Sequence, residues 1–226
     1  MRFPLGTIVL IVVGVLIYFG LAHRVLDRMR LTDRAALGFI LAMILGGFLN
    51  VTVARRPELV VNIGGSIVPL AIATYLVATA DESKEKVRGV VAAIVTGGAV
   101  YALTKVINPE EQTMLLDPIY IFSIAAGLIG YLAGRSRRAA FIAGISGIII
   151  ADLALWVELA IRRQPGRAWL GGAGVFDSTV IAGLLAVLLA ELVGETREKL
   201  QGGSRAIESR REDRADGSRK EGGSDA

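Results

Sequence analysis

Two aspartates lie within apolar stretches of this sequence, where a carboxylate needs either a function or a partner. Asp152 occurs in IIIADLALW, and its neighbours at helical spacing are large and apolar. A charged side chain at the centre of a bilayer costs about 2.5–3.5 kcal/mol on insertion scales. An ionised Asp152 must therefore face a partner or water; the alternative is a protonated side chain that makes one interhelical hydrogen bond. Asp177, in GAGVFDST, is either a second buried acid or the N-cap of a helix that begins at Ser178.

Three further polar residues lie at the ends of apolar segments. Asp117 precedes a proline, which is typical of an N-cap followed by proline in the first helical turn, with a site role as the alternative. Asn62 precedes Gly64-Gly65 and a later proline, a pattern that predicts an interrupted or kinked helix. Asn50 ends the preceding apolar segment. We expect a polar crevice, open to the outside and floored by Asp152, whose substrate- or ion-binding residues are Asp152, Asp177, Asn62, Asp117 and Asn50.

The composition excludes several kinds of site. The chain has no cysteine and one histidine, His23, so disulfides, thiolate chemistry and histidine-cluster metal sites are excluded, and only a carboxylate cation site stays open. No phosphate-binding loop and no haem or flavin motif occurs, so we expect no cofactor and no resident metal. The pI is about 9.6, but the basic residues lie in short segments between apolar stretches, which argues against a nucleic-acid partner.

The apolar stretches are long enough to form the helices that position these residues. The chain has 226 residues, of which 53% are hydrophobic, and a helix needs about 20 mostly apolar residues to span the hydrocarbon core. Seven segments meet this requirement, with predicted bounds 4–22, 35–53, 59–79, 87–104, 118–135, 139–161 and 172–194. We therefore predict an all-α, polytopic transmembrane helix bundle of about seven helices over residues 1–194.

Lysine and arginine are distributed unevenly between the two sets of loops. With the N-terminus outside, the cytoplasmic segments carry 18 basic residues and the outer segments carry seven, so the positive-inside rule favours an N-out, C-in orientation. Residues 195–226 hold eight basic and eight acidic residues and almost no apolar ones. Such a segment cannot bury enough surface to offset its ordering entropy, so we predict a charged, largely disordered cytoplasmic tail.

Small residues recur at every fourth position in five of the predicted helices. The stripes are Gly38, Ala42, Gly46; Gly89, Ala93, Gly97; Ala126, Gly130, Gly134; Ala143, Gly147, Ala151; and Ser178, Ala182, Ala186, Ala190. Helices in lipid associate through close backbone approach and polar contacts. The stripes therefore predict a compact bundle.

Three stretches carry a resemblance to a known family. They are VNIGGSIVPLAIATYL at 61–76, DPIYIFSIAAGLIGYLAG at 117–134, and IADLALW at 150–156 together with GGAGVFDSTVIAGLLAVLLAE at 171–191. In these stretches the sequence resembles a prokaryotic multi-pass membrane family known as domain of unknown function 1614. The resemblance covers most of the chain up to about residue 194. It implies a location in the prokaryotic cell membrane and no established activity.

Asp152 and Asp177 also bear a much fainter resemblance to the aspartate pair of presenilin-type intramembrane aspartyl proteases. That family uses a Tyr-Asp pair, a Gly-x-Gly-Asp motif on the next helix and a later Pro-Ala-Leu. Here Ala151 stands in place of the tyrosine, Val175-Phe176 separates Gly172-Ala173-Gly174 from Asp177, and no later Pro-Ala-Leu follows. The resemblance implies peptide hydrolysis by a water held between two carboxylates that share a proton.

Several functions are compatible with these features. The leading hypothesis is not enzymatic: the protein binds a small solute or cation and couples it to proton movement, or it is an accessory subunit of a membrane complex. One alternative is an aspartyl-protease-like hydrolase with Asp152 and Asp177 as catalytic residues. Another is a structural bundle without a site. The expected partners are the lipid bilayer and either another membrane protein or a second copy of this chain.

Overall fold

The computed structural model describes residues 5–19, 26–27, 29, 31–80, 82–107, 118–171, 178–194 and 196, and these are mostly helical. Seven helices of ten residues or more lie in these ranges: α1 (Leu5–Tyr18), α2 (Asp33–Gly46), α3 (Val68–Ala78), α4 (Ser83–Val106), α5 (Pro118–Gly134), α6 (Arg137–Ile161) and α7 (Ser178–Gly194). A five-residue π-helix, Ile63–Ile67, leads into α3. Residues from Glu191 onward form a separate unit. The predicted tail, apart from residue 196, lies outside the described ranges.

A three-stranded sheet occupies a part of the chain that hydropathy assigns to helices. Strands β1 (Asn50–Arg55) and β2 (Glu58–Asn62) form an antiparallel hairpin, and β3 (Arg167–Leu170) pairs with β2 in parallel. The predicted helices 35–53 and 59–79 are therefore wrong over residues 50–53 and 59–62, which are strands. The physical reason is that valine and threonine dominate the hairpin, and such β-branched side chains fit a pleated strand better than a helix.

Helix α6 lies at the centre of the packing, with α3, α4, α5 and β3 in contact with it. Glycines allow the closest approaches. Gly97 of α4 lies against Gly147 of α6, and Gly130 of α5 lies against Gly144 of α6. All but Gly144 belong to the small-residue stripes, and helices that meet at such stripes gain van der Waals contact along their backbones.

Large apolar side chains cover the outer surface of the long helices. On α4 the buried positions are Gly89, Ala92, Ala93, Thr96, Gly97 and Val100, whereas Val87, Val90, Val91, Ile94 and Val95 are exposed. The inward face of α4 is thus made mostly of small residues and its outward face of large apolar ones. Among the described residues, two helices, α4 and α6, are long and apolar enough to cross a membrane.

The contact between α4 and α6 gives a matched pair of substitutions. A Cβ at Gly97 would lie 2.6 Å from Cγ2 of Ile150, whereas a Cβ at Gly98 would meet nothing within 4 Å. We expect Gly97→Ala to destabilise the protein by about 1–3 kcal/mol through overpacking. Gly98→Ala should instead stabilise the helix by about 0.5–1 kcal/mol. Thermal unfolding followed by tryptophan fluorescence distinguishes them; equal melting temperatures would contradict the α4–α6 contact.

A buried arginine joins three segments at the beginning of α6. Arg138 is 4% exposed, and its Nε and Nη2 each donate to the Met29 carbonyl at 3.1 Å, while Nη1 donates to the Thr79 carbonyl at 3.3 Å. Glu85 lies 4.0 Å from the guanidinium group. Because Thr79 follows the last turn of α3, the guanidinium satisfies a carbonyl group at the end of that helix and compensates its dipole.

Candidate functional site

Asn62 joins β2 to the π-helix and is fully buried. Its amide nitrogen donates to the Gly47 carbonyl at 2.8 Å and to the Asn50 side-chain oxygen at 2.9 Å. Its side-chain oxygen accepts a hydrogen bond from the Gly65 N–H at 2.7 Å, and its backbone carbonyl accepts one from the Ser66 hydroxyl. Asn62 therefore caps the helix that begins after β2, where backbone groups have no partner in a preceding turn.

Gly65 and Gly171 bring the π-helix against the end of β3. Gly171 has a φ of +82°, and a Cβ on it would lie 2.6 Å from the Gly65 carbonyl oxygen. A Cβ on Gly65 would overlap the Gly171 carbonyl group. Glycine is required at both positions because the two backbones touch, and Gly171 also needs its left-handed conformation. The parallel register, which pairs Val61 with Leu170, carries both glycines into this contact.

Asp152 lies on the face of α6 that the sheet covers. That face packs its apolar side chains with those of the sheet, a cluster formed by Ile145, Ile149, Trp156, Leu59, Ala168 and Leu170. Asp152 follows Ile149 by three residues and precedes Trp156 by four, so the three side chains project from the same side of the helix. Asp152 is partly buried, and its carboxyl group lies close enough to the Gly171 backbone N–H to interact with it.

The nearest charged group further along α6 is neutralised by its own partners. Glu158 accepts a hydrogen bond from the Tyr101 hydroxyl at 2.7 Å, forms an ion pair with Lys105, and pairs with Arg162 at 3.0 Å. Lys105 also lies 4.9 Å from the centre of the Tyr101 ring. In the described ranges, no lysine or arginine forms an ion pair with Asp152. Among the described residues, Asp152 thus has no cationic partner, whereas Glu158 has two, Lys105 and Arg162.

The structure brings three of the five predicted site residues into one connected region. Asn50 contacts Asn62 directly, and Asn62 connects to Asp152 through the contact between Gly65 and Gly171. Asp117 and Asp177 lie outside the described residues. A binding role for any of the five stays a prediction. Both amide hydrogens of Asn62 are already used within the protein, so a ligand would have to compete with these bonds.

The two glycines that connect the site were missing from the sequence-based set. Gly65 stands in a Gly-Gly pair that indicates an irregular helix, but nothing in the sequence pairs it with Gly171, more than 100 residues later. Within the described ranges, no group of three or more histidine, aspartate or glutamate side chains is placed to hold a metal ion. The region therefore offers one carboxyl group, amide groups and backbone donors as its polar functions.

These features define a mostly helical bundle with an apolar exterior and one acidic site below a small sheet. The family model described as "Protein of unknown function (DUF1614)" matches residues 25–189, and the chain belongs to this family. No curated protein and no solved structure matches the chain. The comparisons give no support to the presenilin resemblance.

Proposed function

We propose that this protein is a multi-pass membrane protein that binds a small cation or solute at Asp152 and couples that binding to proton movement. The inverted polarity of the bundle supports the membrane location. Large valine and isoleucine side chains point outward from α4, and glycine and alanine point inward. In water such a surface would drive aggregation, whereas lipid accepts it. The cell membrane of a prokaryote is the proposed location.

The charge distribution supports an N-out, C-in orientation with seven membrane helices. Eighteen basic residues lie in the segments assigned to the cytoplasm, and seven in those assigned to the outside. In this orientation the sheet lies at the outer end of α6, because the strand β3 follows that helix. Asp152 lies nine residues before the end of α6, or about 14 Å at 1.5 Å per residue. The proposed site thus lies toward the outer side of the membrane, beneath the sheet.

The neutral surroundings of Asp152 are the observation that carries the functional proposal. Its described polar partner is the Gly171 N–H, and the nearby cations pair with Glu158. A carboxyl group in apolar surroundings is stable when it is protonated or when a cation neutralises it. Arrival of a cation therefore favours loss of the proton, and its departure favours protonation. That exchange is the elementary step of cation/proton coupling.

Replacing Asp152 by asparagine tests the proposal without knowledge of the physiological ligand. Infrared difference spectra of the purified protein, recorded between choline chloride and sodium chloride, should show loss of the carbonyl stretch of a protonated carboxylic acid. We expect Asp152→Asn to abolish this band, because asparagine keeps the side-chain shape but has no proton to exchange. In weakly buffered solution, sodium chloride should release protons from the wild type and not from Asp152→Asn.

Glu158→Gln is the matched control, because Glu158 is on the same helix but is already neutralised by Lys105 and Arg162. This variant should retain the sodium-dependent band. A folded Asp152→Asn protein that keeps the wild-type band would contradict the assignment to Asp152. Absence of any cation-dependent proton release from the wild type, with potassium as well as sodium, would contradict cation coupling and favour an accessory or structural role.

A further inference from the structure

Two threonine hydroxyls in the interior of the bundle have no hydrogen-bond partner in the described part of the chain. Thr96 on α4 is 0% exposed and Thr179 on α7 is 1% exposed, and Oγ1 of each is buried and unpaired. Thr74, Thr79 and Thr104 show the ordinary arrangement: each donates to a carbonyl three or four residues earlier. A buried hydroxyl that lacks such a bond indicates an additional polar partner, most commonly a water molecule.

The contacts of α7 place Thr179 about one helical turn from Asp152 along α6. A Cβ on Gly144 would lie 2.8 Å from the Ala182 carbonyl oxygen, and Ala186 packs with Ala140, so α6 and α7 run antiparallel. Thr179 precedes Ala182 by three residues, about one helical turn. It therefore lies about one turn beyond Gly144 along α6, at the level of Ile148. Asp152 is one further turn along α6, on the same side as Ile148.

Thr96 lies at a similar level, where α4 contacts α6. Its Cγ2 and Cβ face Gly147, so close that a Cβ on Gly147 would lie 2.8 Å from the Thr96 Cβ. Gly147 precedes Ile148 directly, and so the two unpaired hydroxyls flank one turn of α6. The methyl group of Thr96 occupies the space that the missing Gly147 side chain leaves, and Oγ1 is therefore directed away from that contact. Both hydroxyls thus lie about one turn of α6 before Asp152, on the side away from the sheet end of that helix.

We propose that the hydroxyls of Thr179 and Thr96 bind water inside the bundle, and that the water on Thr179 carries protons to and from the Asp152 carboxyl group. A hydroxyl both donates and accepts, so a water on Thr179 completes its bonding and reaches a carboxyl group one turn away. The proton passes along hydrogen bonds between water, hydroxyl and carboxyl oxygens, with no net change in atoms or electrons. The proton path rests on the proposed function of Asp152, whereas the water sites do not.

The sign of a stability change tests the water sites. Replacing a hydroxyl that has no partner by an isosteric methyl group raises stability, whereas removing a hydroxyl that binds water lowers it. We therefore expect Thr179→Val and Thr96→Val to lower the melting temperature by about 2–4 °C. Thr179→Ser and Thr96→Ser, which keep the hydroxyl, should lose less. Thr74→Val, at an exposed position with its own hydrogen bond, is the control. A melting temperature that stays the same or rises in both valine variants would overturn the water sites.

Hydrogen–deuterium exchange of the Asp152 carboxyl group tests the path itself. After transfer into D2O, the infrared band that Asp152→Asn removes should shift at least tenfold more slowly in Thr179→Val than in the wild type. Thr179→Ser should restore the rate, and the sodium-induced amplitude of the band should stay unchanged. Equal exchange rates in Thr179→Val and the wild type would overturn the path. If the wild type shows no such band, the function proposed for Asp152 fails, while the stability measurements still decide on the water.

Discussion

Arg138→Ala is expected to lower the stability of the folded protein by about 3 kcal/mol, since it removes charged hydrogen bonds from a buried position. The guanidinium group donates to carbonyls of Met29 and Thr79, which belong to segments far apart in the sequence. Truncation would leave these carbonyls unpaired and Glu85 without its nearest cation. At about 2–4 °C per kcal/mol for a chain of this size, the melting temperature should fall by about 6–12 °C.

Arg88→Ala provides the matched control for this variant, because Arg88 is exposed on α4 and has no partner among the described residues. Its melting temperature should stay within about 2 °C of the wild type, as for most surface substitutions. Arg138→Lys should recover only part of the loss, because an ammonium group cannot reproduce the fixed fork of the guanidinium donors. If Arg138→Ala and Arg88→Ala had the same melting temperature, the buried arginine would not be joining these segments.

Gly64→Ala should be among the most destabilising alanine substitutions at the glycines that the structure describes. A Cβ at Gly64 would overlap the Met43 carbonyl oxygen and the Gly47 nitrogen, and would lie 2.7 Å from the Gly46 carbonyl carbon. These are backbone atoms, which cannot move aside as a flexible side chain does. We expect a destabilisation of about 4–5 kcal/mol, at the upper end for single substitutions. Little monodisperse protein should be recovered after size-exclusion chromatography.

Gly38→Ala controls for the cost of altering a glycine in this region. Gly38 lies on α2, and a Cβ there meets nothing within 4 Å, so the alanine variant should be as stable as the wild type or better by about 0.5–1 kcal/mol. Normal recovery of Gly64→Ala would mean that α2 and the π-helix do not pack backbone to backbone. In that case the capping interactions of Asn62 would not explain how the hairpin is held.

Hydropathy was sufficient to locate the long helices and insufficient to predict the three-stranded sheet. Residues 50–53 and 59–62 are apolar enough to extend the neighbouring helices, so a hydropathy window merges them with those helices. Their strand signals were local: Val51, Thr52 and Val53 in one run, Val60-Val61 in another, and a proline turn between them. Strand β3 has four residues, and its parallel pairing depends on a segment more than 100 residues away, which no local pattern reveals.

The candidate site could also be predicted only in part, because local sequence patterns reveal single residues but not the long-range contacts between them. Asp152 is conspicuous because it interrupts an apolar helix, and Asn62 because it precedes a glycine pair. What connects them is Gly171, whose φ of +82° and contact with Gly65 depend on the sheet register. Thr96 and Thr179 raised no expectation, because a threonine in a helix ordinarily bonds to its own preceding turn. The structure instead leaves both hydroxyls without a hydrogen-bond partner among the described residues.

In the proposed multi-pass arrangement, the pairing of β2 with β3 also constrains how often the chain crosses the membrane. Neighbouring strands of one sheet lie on the same side, and the chain between these two passes through α3, α4, α5 and α6. The number of crossings among those four helices must therefore be even. With α4 and α6 as membrane helices, α3 and α5 either both cross or both do not. The four residue pairs that join β2 to β3 thus require an even number of crossings between these two strands. This holds whichever side of the membrane the sheet occupies.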